Sequence, residues 1–484
     1  MVWMISLLVS FAVLLGGYFV YGRLTERAFG PDDRQTPAVA INDGVDCVPM
    51  KPWKAFLVQL LNIAGTGPIF GALMGACFGP VVFLWIVFGS ILGGAVHDFM
   101  SGMISSRHRG ASIAELSGDY LGSAARWIMR FFSVILLVLC GTVFVMSPAG
   151  LLARLTGLGE TAWGVIILAY YLLATLLPID KLIGKLYPIF GVLLIVMAVS
   201  VVGGILFSGG KFAIPEITLA NLHPEGESTP VWPFMFITVA CGAISGFHAT
   251  QSPMIAKCIT SEKQGRSIFY GAMISEAVIA LVWAAAGVAF YGTTQLLNEA
   301  LKGGASNVVY EISSGVLGSF GAVLAVAGVI VCPITSGDTA FRSARLILAE
   351  TFRLEQKKMK NRLLITIPLL IVGGLLTWYA LSDHKGFQTI WRYFSWSNQV
   401  LATVSLWVAT AYLLKEGTNR FGSLMTALPG AFMTAVCTTY ILMGEEGFRL
   451  SAGIAYPVGA AAAAALLCIY LFKGRKKLCP VRRL

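Results

Sequence analysis

One apolar stretch follows another along this chain with only short polar gaps, and that succession fixes the solvent before anything else is considered. Windows of roughly 17 to 25 apolar residues, the length that crosses a bilayer as a helix, fall near 2–22, 54–79, 81–105, 127–147, 161–178, 186–207, 231–253, 267–291, 315–335, 362–382, 388–413, 422–443 and 451–472. About thirteen transmembrane helices are therefore predicted, in an all-α membrane protein with no separate soluble domain. Composition agrees: 57% of the 484 residues are apolar and 12% are charged, about half the charged share of a soluble protein.

Lys and Arg test the count, because they collect in alternate loops on the cytoplasmic side. With the N-terminus outside, the inner loops hold Arg23 to Lys54, Arg107 to Arg130, Lys181 and Lys185, Lys257 to Arg266, Arg342 to Arg362, Lys415 and Arg420, and the tail from Lys473. The outer loops hold Arg154, Lys211, Lys302, Lys385 and Arg449, with Arg392 near an outer helix end, an imbalance of about five to one. The net charge of +11 is thus read as topology, not as a nucleic-acid face. The first segment lacks a preceding basic residue and a small-residue cleavage signal, so it is expected to stay as the first helix. Nine cysteines show no metal or disulfide spacing and read as buried thiols; no metal and no cofactor is expected.

Two spans are interrupted. Ala64-Gly65-Thr66-Gly67-Pro68 lies midway through the second, and Gly242-Ala243-Ile244-Ser245-Gly246, followed by Gln251-Ser252-Pro253, lies in the seventh. Glycine and proline loosen or remove helical hydrogen bonds, and at membrane depth the freed groups must face protein or a wet cavity. Trp53, Ala64, Thr66 and Gly67 match Trp232, Ala243, Ser245 and Gly246 at a constant offset of 179 residues. Each break opens a five-helix block, 54–207 and 231–413, and an odd number of crossings makes the blocks inverted; 1–22 is then an extra helix and 422–472 a C-terminal pair. Breaks at equivalent places in inverted halves point to a transport site. Gly65, Thr66, Gly67, Ser245, Gly246, His248 and Gln251 are the substrate-site candidates, with backbone N–H groups at each break available to an anion. Close packing of small residues is the competing explanation.

A charge at the bilayer centre costs roughly 2.5 to 3.5 kcal/mol on insertion scales, so each needs a partner or a purpose. His97 and Asp98 sit about 14 Å inside Arg107 at 1.5 Å per residue, and Glu276 lies deep in the eighth span. Neighbours in a helix point about 100° apart, so His97 and Asp98 need not touch. These residues are candidates for ion coupling or for helix-bridging hydrogen bonds. Thr335, Ser336, Asp338 and Thr339 supply oxygens of the kind Na⁺ would need, or else cap a following helix. Asn398 and Gln399 read as glue between helices.

The segments 41–46, Ile63 to Pro68, Gly94 to Phe99, Gly242 to Ala249, Asp338 to Arg342 and Asn398 to Ala402 together resemble the carbon starvation protein family of bacterial inner-membrane peptide and pyruvate transporters. The resemblance implies an arrangement similar to the amino-acid/polyamine/organocation transporters, and uptake of pyruvate or small peptides during nutrient limitation, driven by protons. The chain is shorter than long members of that family, so whatever resides in their C-terminal helices does not carry over. The expected cargo is a small anionic metabolite or short peptide, the expected coupling ion H⁺ with Na⁺ as the alternative. A channel and a membrane nutrient sensor remain open readings. An intramembrane enzyme is disfavoured, since neither a His-Glu-x-x-His nor a Gly-x-Ser-x-Gly motif is present.

Overall fold

The computed structural model describes residues 4–476 apart from 45–46, 177–178, 357, 384–385 and 417–419. Val45, Asp46, Lys357, Lys385 and the basic tail from 477 therefore lie outside the described residues. Helices account for all the regular structure described: α1 (Ile5–Phe29), α2 (Pro52–Ala64), α3 (Gly67–Ala76), α4 (Val81–Arg107), α5 (Ile113–Leu121), α6 (Ser123–Thr156), α7 (Glu160–Leu176) and α8 (Ile179–Leu206). After the segment 207–230 and a short helical stretch at 231–238 come α9 (Gly246–Ala256), α10 (Glu262–Tyr291), α11 (Thr294–Lys302), α12 (Ala305–Val326), α13 (Cys332–Phe352), α14 (Met359–Ser382), α15 (Gly386–Lys415), α16 (Arg420–Met443) and α17 (Ala452–Lys476).

Among the described residues nine helices are long and apolar enough to cross a membrane, or ten if α2 and α3 form one bent span. The shortfall from thirteen has three local causes. α7 is short, the 231–256 region is broken, and α15 carries Arg392, Asn398 and Gln399 within it. The ninth expected span, 315–335, straddles the end of α12 and the start of α13.

Burial separates centre from rim. Within the apolar windows α10 is 83% and α4 78% buried, whereas α1 is 22% and α17 17% buried. A helix apolar all round and buried is a core helix, so α4 and α10 are the axis around which the others pack. Local chemistry sets several ends: Gly30 takes a left-handed conformation and its N–H closes α1 on the Glu26 carbonyl. Ser112 caps α5 by accepting the Glu115 N–H.

Both sequence breaks are unwound. α2 stops at Gly65 (φ 20°, ψ −139°) and α3 leaves at 54° to it. The second broken span is helical to Thr238, leaves helical geometry at Val239, and resumes at Gly246 after an extended Ser245. The breaks touch. A Cβ placed on Gly67 would lie 2.3 Å from the Cys241 side chain, and one on Gly65 2.5 Å from Phe144. Packing of small residues is thus present at the breaks alongside the unwinding, and the two readings are not exclusive.

One correction concerns charge. Arg342 and Arg345, expected in an inner loop, are 2% and 3% exposed inside α13.

At Gly246 the neighbours are backbone, the Asn398 oxygen at 2.4 Å and the Ala402 nitrogen at 2.5 Å from a built Cβ. Gly246→Val should therefore cost about 1 to 3 kcal/mol by overpacking and lower the melting temperature in detergent. Gly16→Val, where nothing lies within 4 Å, should leave it unchanged.

Candidate functional site

The second break exposes backbone groups in the centre of the bundle, and α15 supplies their partners. Asn398 donates to the Ala240 carbonyl at 3.3 Å and to Ser245 Oγ at 3.1 Å, and its Oδ1 accepts the Phe247 N–H at 2.7 Å. Gln399 donates to the Ala240 carbonyl at 3.1 Å, and Ser90 of α4 to the Gly242 carbonyl at 3.1 Å. Asn398 and Gln399 are therefore glue, but between α15 and an unwound strand of backbone. One consequence bears on anion binding: the Phe247 N–H at the start of α9 is already occupied by Asn398.

At the first break α13 has the matching task. Ser336 Oγ donates to the Leu61 carbonyl at 3.1 Å, and Cys332 Sγ lies 3.6 Å from the Gly65 carbonyl as its donor.

Four ionisable residues from three helices join in a row beside the breaks. Asp98 of α4 sits between two imidazoles, its Oδ1 2.8 Å from His97 Nδ1 and its Oδ2 2.8 Å from His248 Nδ1 of α9. The other ring nitrogen of His248, Nε2, lies 3.3 Å from Glu276 Oε2 of α10. All four are at most 1% exposed. His97 and Asp98 do touch, although helical spacing alone left that open, because the two side chains fold toward each other from one turn of α4.

The remaining coupling candidates are elsewhere. On α13, Thr335 and Thr339 donate to their own helix, to the Cys332 and Ser336 carbonyls at 2.8 and 2.9 Å. Asp338 pairs with Arg342 at 3.3 Å and accepts from Tyr187 at 3.3 Å. They cap no helix end, since the cluster lies inside α13. Among the described residues no group of three or more His, Cys, Asp or Glu could hold a metal ion.

Beside the row lies a set of buried polar atoms with no hydrogen-bond partner: Gln59 Oε1, both side-chain ends of Asn62, Thr66 Oγ1, Gln251 Oε1 and both carboxylate oxygens of Glu276. Gln59 Nε2 reaches Ser252 at 3.3 Å. α2 and α9 run in opposite directions there, so the next turn of α2, with Asn62, faces the turn of α9 that carries His248. Unsatisfied buried groups cost about 1 to 3 kcal/mol each, which makes such a set a place for a ligand. Gln251 is held by its donors to Thr250 at 2.9 Å and Ser343 at 3.3 Å. Thr250 spends its own hydrogen on the Phe247 carbonyl, so the Gln251 oxygen is the end left over. Sequence reasoning missed Gln59 and Asn62, although Gln59, Asn62 and Thr66 form a polar stripe at three- and four-residue spacing in an otherwise apolar helix.

From the opposite side of the Gln251 to Ser343 contact, a cavity of about 430 Å³ opens between α9, α13 and the 110–113 turn, lined by Thr250, Pro253, Lys257, Ser343 and Glu350 among others. At one end of α4, Arg107 is paired with Glu262 at 2.8 Å and donates to the Gly30 carbonyl and Tyr412. At the other end, the Leu222 N–H donates to the Phe78 carbonyl and Thr294 to the Leu222 carbonyl, which ties the 207–230 segment to the chain just past α3.

The sequence profile of the carbon starvation protein CstA matches residues 2–156, 144–314 and 292–440. The chain belongs to the carbon starvation protein CstA family. It is accordingly a multi-pass membrane protein of a transporter family. An uncharacterized membrane protein of Haemophilus influenzae is 44% identical over 61% of this chain and 93% of its own length. The Helicobacter pylori peptide transporter CstA is 26% identical over 84% of this chain and 76% of its own. The Escherichia coli pyruvate/proton symporter BtsT is 24% identical over the same shares. Among solved structures, a manganese transporter of Eremococcus coleocola is similar in fold, with a TM-score of 0.54, 14% identity, and coverage of 90% of this chain and 99% of that one.

Replacing Asn398 by Leu removes the acceptor of the Phe247 N–H and a donor to Ala240 at once. A cost of about 1 to 3 kcal/mol per stranded group is expected, read as a lower melting temperature in detergent. An unchanged melting temperature would mean that the unwound strand draws its stability from elsewhere.

Proposed function

We propose that this transporter takes up pyruvate or short peptides by alternating access and couples the uptake to protons through His97, Asp98, His248 and Glu276. The observation that carries the reading is the buried Asp98 carboxylate held between two imidazoles, with a second carboxylate at the far side of one of them. A proton added to or taken from this row changes the charge of a site where charge is expensive. It also changes which of α4, α9 and α10 are tied together, and that gives proton binding leverage over helix position. The names of the relatives, a pyruvate/proton symporter and peptide transporters, support both cargo and ion.

The cargo site in this reading lies between the breaks, where Thr66, Gly65 and Gly67 of the first span approach Ser245, Gly246, His248 and Gln251 of the second, with Gln59 and Asn62 added on α2. The neutral amides there suit the hydrogen-bonding groups of a carboxylate, ketone or peptide unit. The Gln251 to Ser343 contact separates this site from the 430 Å³ cavity, which makes the state inward-facing and closed by one thin gate, with Arg107 and Glu262 at the cytoplasmic end. Counting α7, the broken 231–256 span and α15 as crossings raises the ten spans to thirteen. An odd count puts the termini on opposite sides, and with the Lys and Arg bias of the loops the reading has an outside N-terminus, a cytoplasmic C-terminus in a bacterial inner membrane, and inverted repeats at 54–207 and 231–413. Na⁺ stays the alternative coupling ion: the hydroxyls of Thr335, Ser336 and Thr339 donate their hydrogens to backbone carbonyls and keep their oxygen lone pairs for a cation.

The test is accumulation of labelled pyruvate, alone and against excess dipeptide, in proteoliposomes with an acid exterior. Asp98→Asn should lower proton-driven accumulation by roughly 5- to 150-fold, the range of a typical coupling energy, while exchange of labelled for unlabelled cargo across equal pH persists. Undiminished accumulation by Asp98→Asn would remove the row from the coupling mechanism.

A further inference from the structure

A second cavity, of about 790 Å³, lies on the flank of the bundle between α6, α13 and α14. All of its lining residues are apolar, among them Val138, Phe352, Leu354, Leu364, Leu369 and Leu376. Phe352 and Leu364 are each 65% exposed, so the cavity is open sideways to the bilayer and not to the transport site. With no hydrogen-bonding group in its wall it has nothing to offer a water-soluble cargo.

Its dimensions match one leaflet. Leu364 to Leu376 along α14 spans about 18 Å at 1.5 Å per residue, against a hydrocarbon half-thickness of about 15 Å. The end nearest the loop between α13 and α14 is basic. Exposed Arg353 stands between the lining residues Phe352 and Leu354, and exposed Lys360 lies one turn before Leu364 on the same face of α14. Apolar depth of one leaflet with cations at the interfacial end is the complement of one molecule the bilayer supplies in abundance.

We propose that this groove binds an anionic phospholipid, its acyl chain along α14 and its phosphate at Arg353 and Lys360. The site bears on transport through a shared wall. Leu354 lines both this groove and the 430 Å³ cavity below the Gln251 gate, and Arg353 belongs to that cavity as well. The same helix, α13, carries Ser343 of the gate. A lipid in the groove therefore braces the end of α13 where the inner cavity would have to close.

Native mass spectrometry of the purified full-length protein, titrated with phosphatidylglycerol and phosphatidylcholine of equal chain length, tests the site independently of any transport assay. Phosphatidylglycerol should be retained over phosphatidylcholine. The double variant Arg353→Gln, Lys360→Gln should erase that preference, by roughly fivefold per cation, and its two exposed positions leave folding unaffected. Leu369→Trp, which fills the groove, should lower retention of both lipids. Equal retention of the two lipids by the unmodified protein, or a preference that survives the double variant, would overturn the proposal. Retention unchanged in a Leu369→Trp protein of normal melting temperature would do the same.

Discussion

Backbone hydrogen bonding in a medium without water is the constraint on which this molecule turns. A helix crosses a bilayer because it satisfies its own N–H and C=O groups, and any interruption at that depth leaves groups that protein must satisfy. Here two interruptions meet at the centre, and their partners come from two other helices: Asn398 and Gln399 of α15 for one, Ser336 and Cys332 of α13 for the other. Ser90 adds a fifth contact from α4. Each partner is short and polar within an apolar helix. The breaks therefore set the composition of helices remote from them in sequence, and they place α13 and α15 where a change at either break is felt.

The ionic row beside the breaks follows a different energetic logic. Removing charges from water costs several kcal/mol per ion, and a buried pair recovers that only with good geometry and full hydrogen bonding. Asp98 meets that standard, with both oxygens engaged at 2.8 Å. Glu276 does not, since its oxygens make only the 3.3 Å approach to His248 and no hydrogen bond. Asp98 is thus satisfied within the row, whereas Glu276 and the far ring nitrogen of His97, Nε2, are not, and a network left partly unsatisfied costs stability. Arg342 and Asp338 form a second buried ion pair, four residues apart on one helix and supported by Tyr187 and the Ala174 carbonyl, with Asp338 Oδ1 left over. That pair reads as structural.

Much of this was legible in the chain itself. Apolar windows located most helices because lipid imposes one period and one length, and glycine with proline marked both breaks because no other residues release a helix so cheaply. Asp98, His248 and Glu276 stood out as charges in the wrong solvent. What the sequence hid was the assembly. Nothing in the spacing of 98, 248 and 276 says that they meet, since three helices separate in sequence must first be packed. Arg342 and Arg345 were misread for the same reason: a basic residue near a helix end looks like a topology signal whether or not the helix continues past it. Gln59 and Asn62 carry no charge, so a search for charges passed over them, although their spacing along α2 was visible.

The likeness in fold to a manganese transporter sharpens what the side chains decide. A fold shared at 14% identity does not choose the cargo; the side chains that line a site do. In the proposed cargo site the lining is amide and hydroxyl from Gln59, Asn62, Thr66 and Gln251, and the acidic and imidazole groups face one another along a row. A divalent cation needs several such groups aimed at one point. His97, Asp98, His248 and Glu276 instead face each other in succession, adjacent positions between which the proposed coupling would pass a proton.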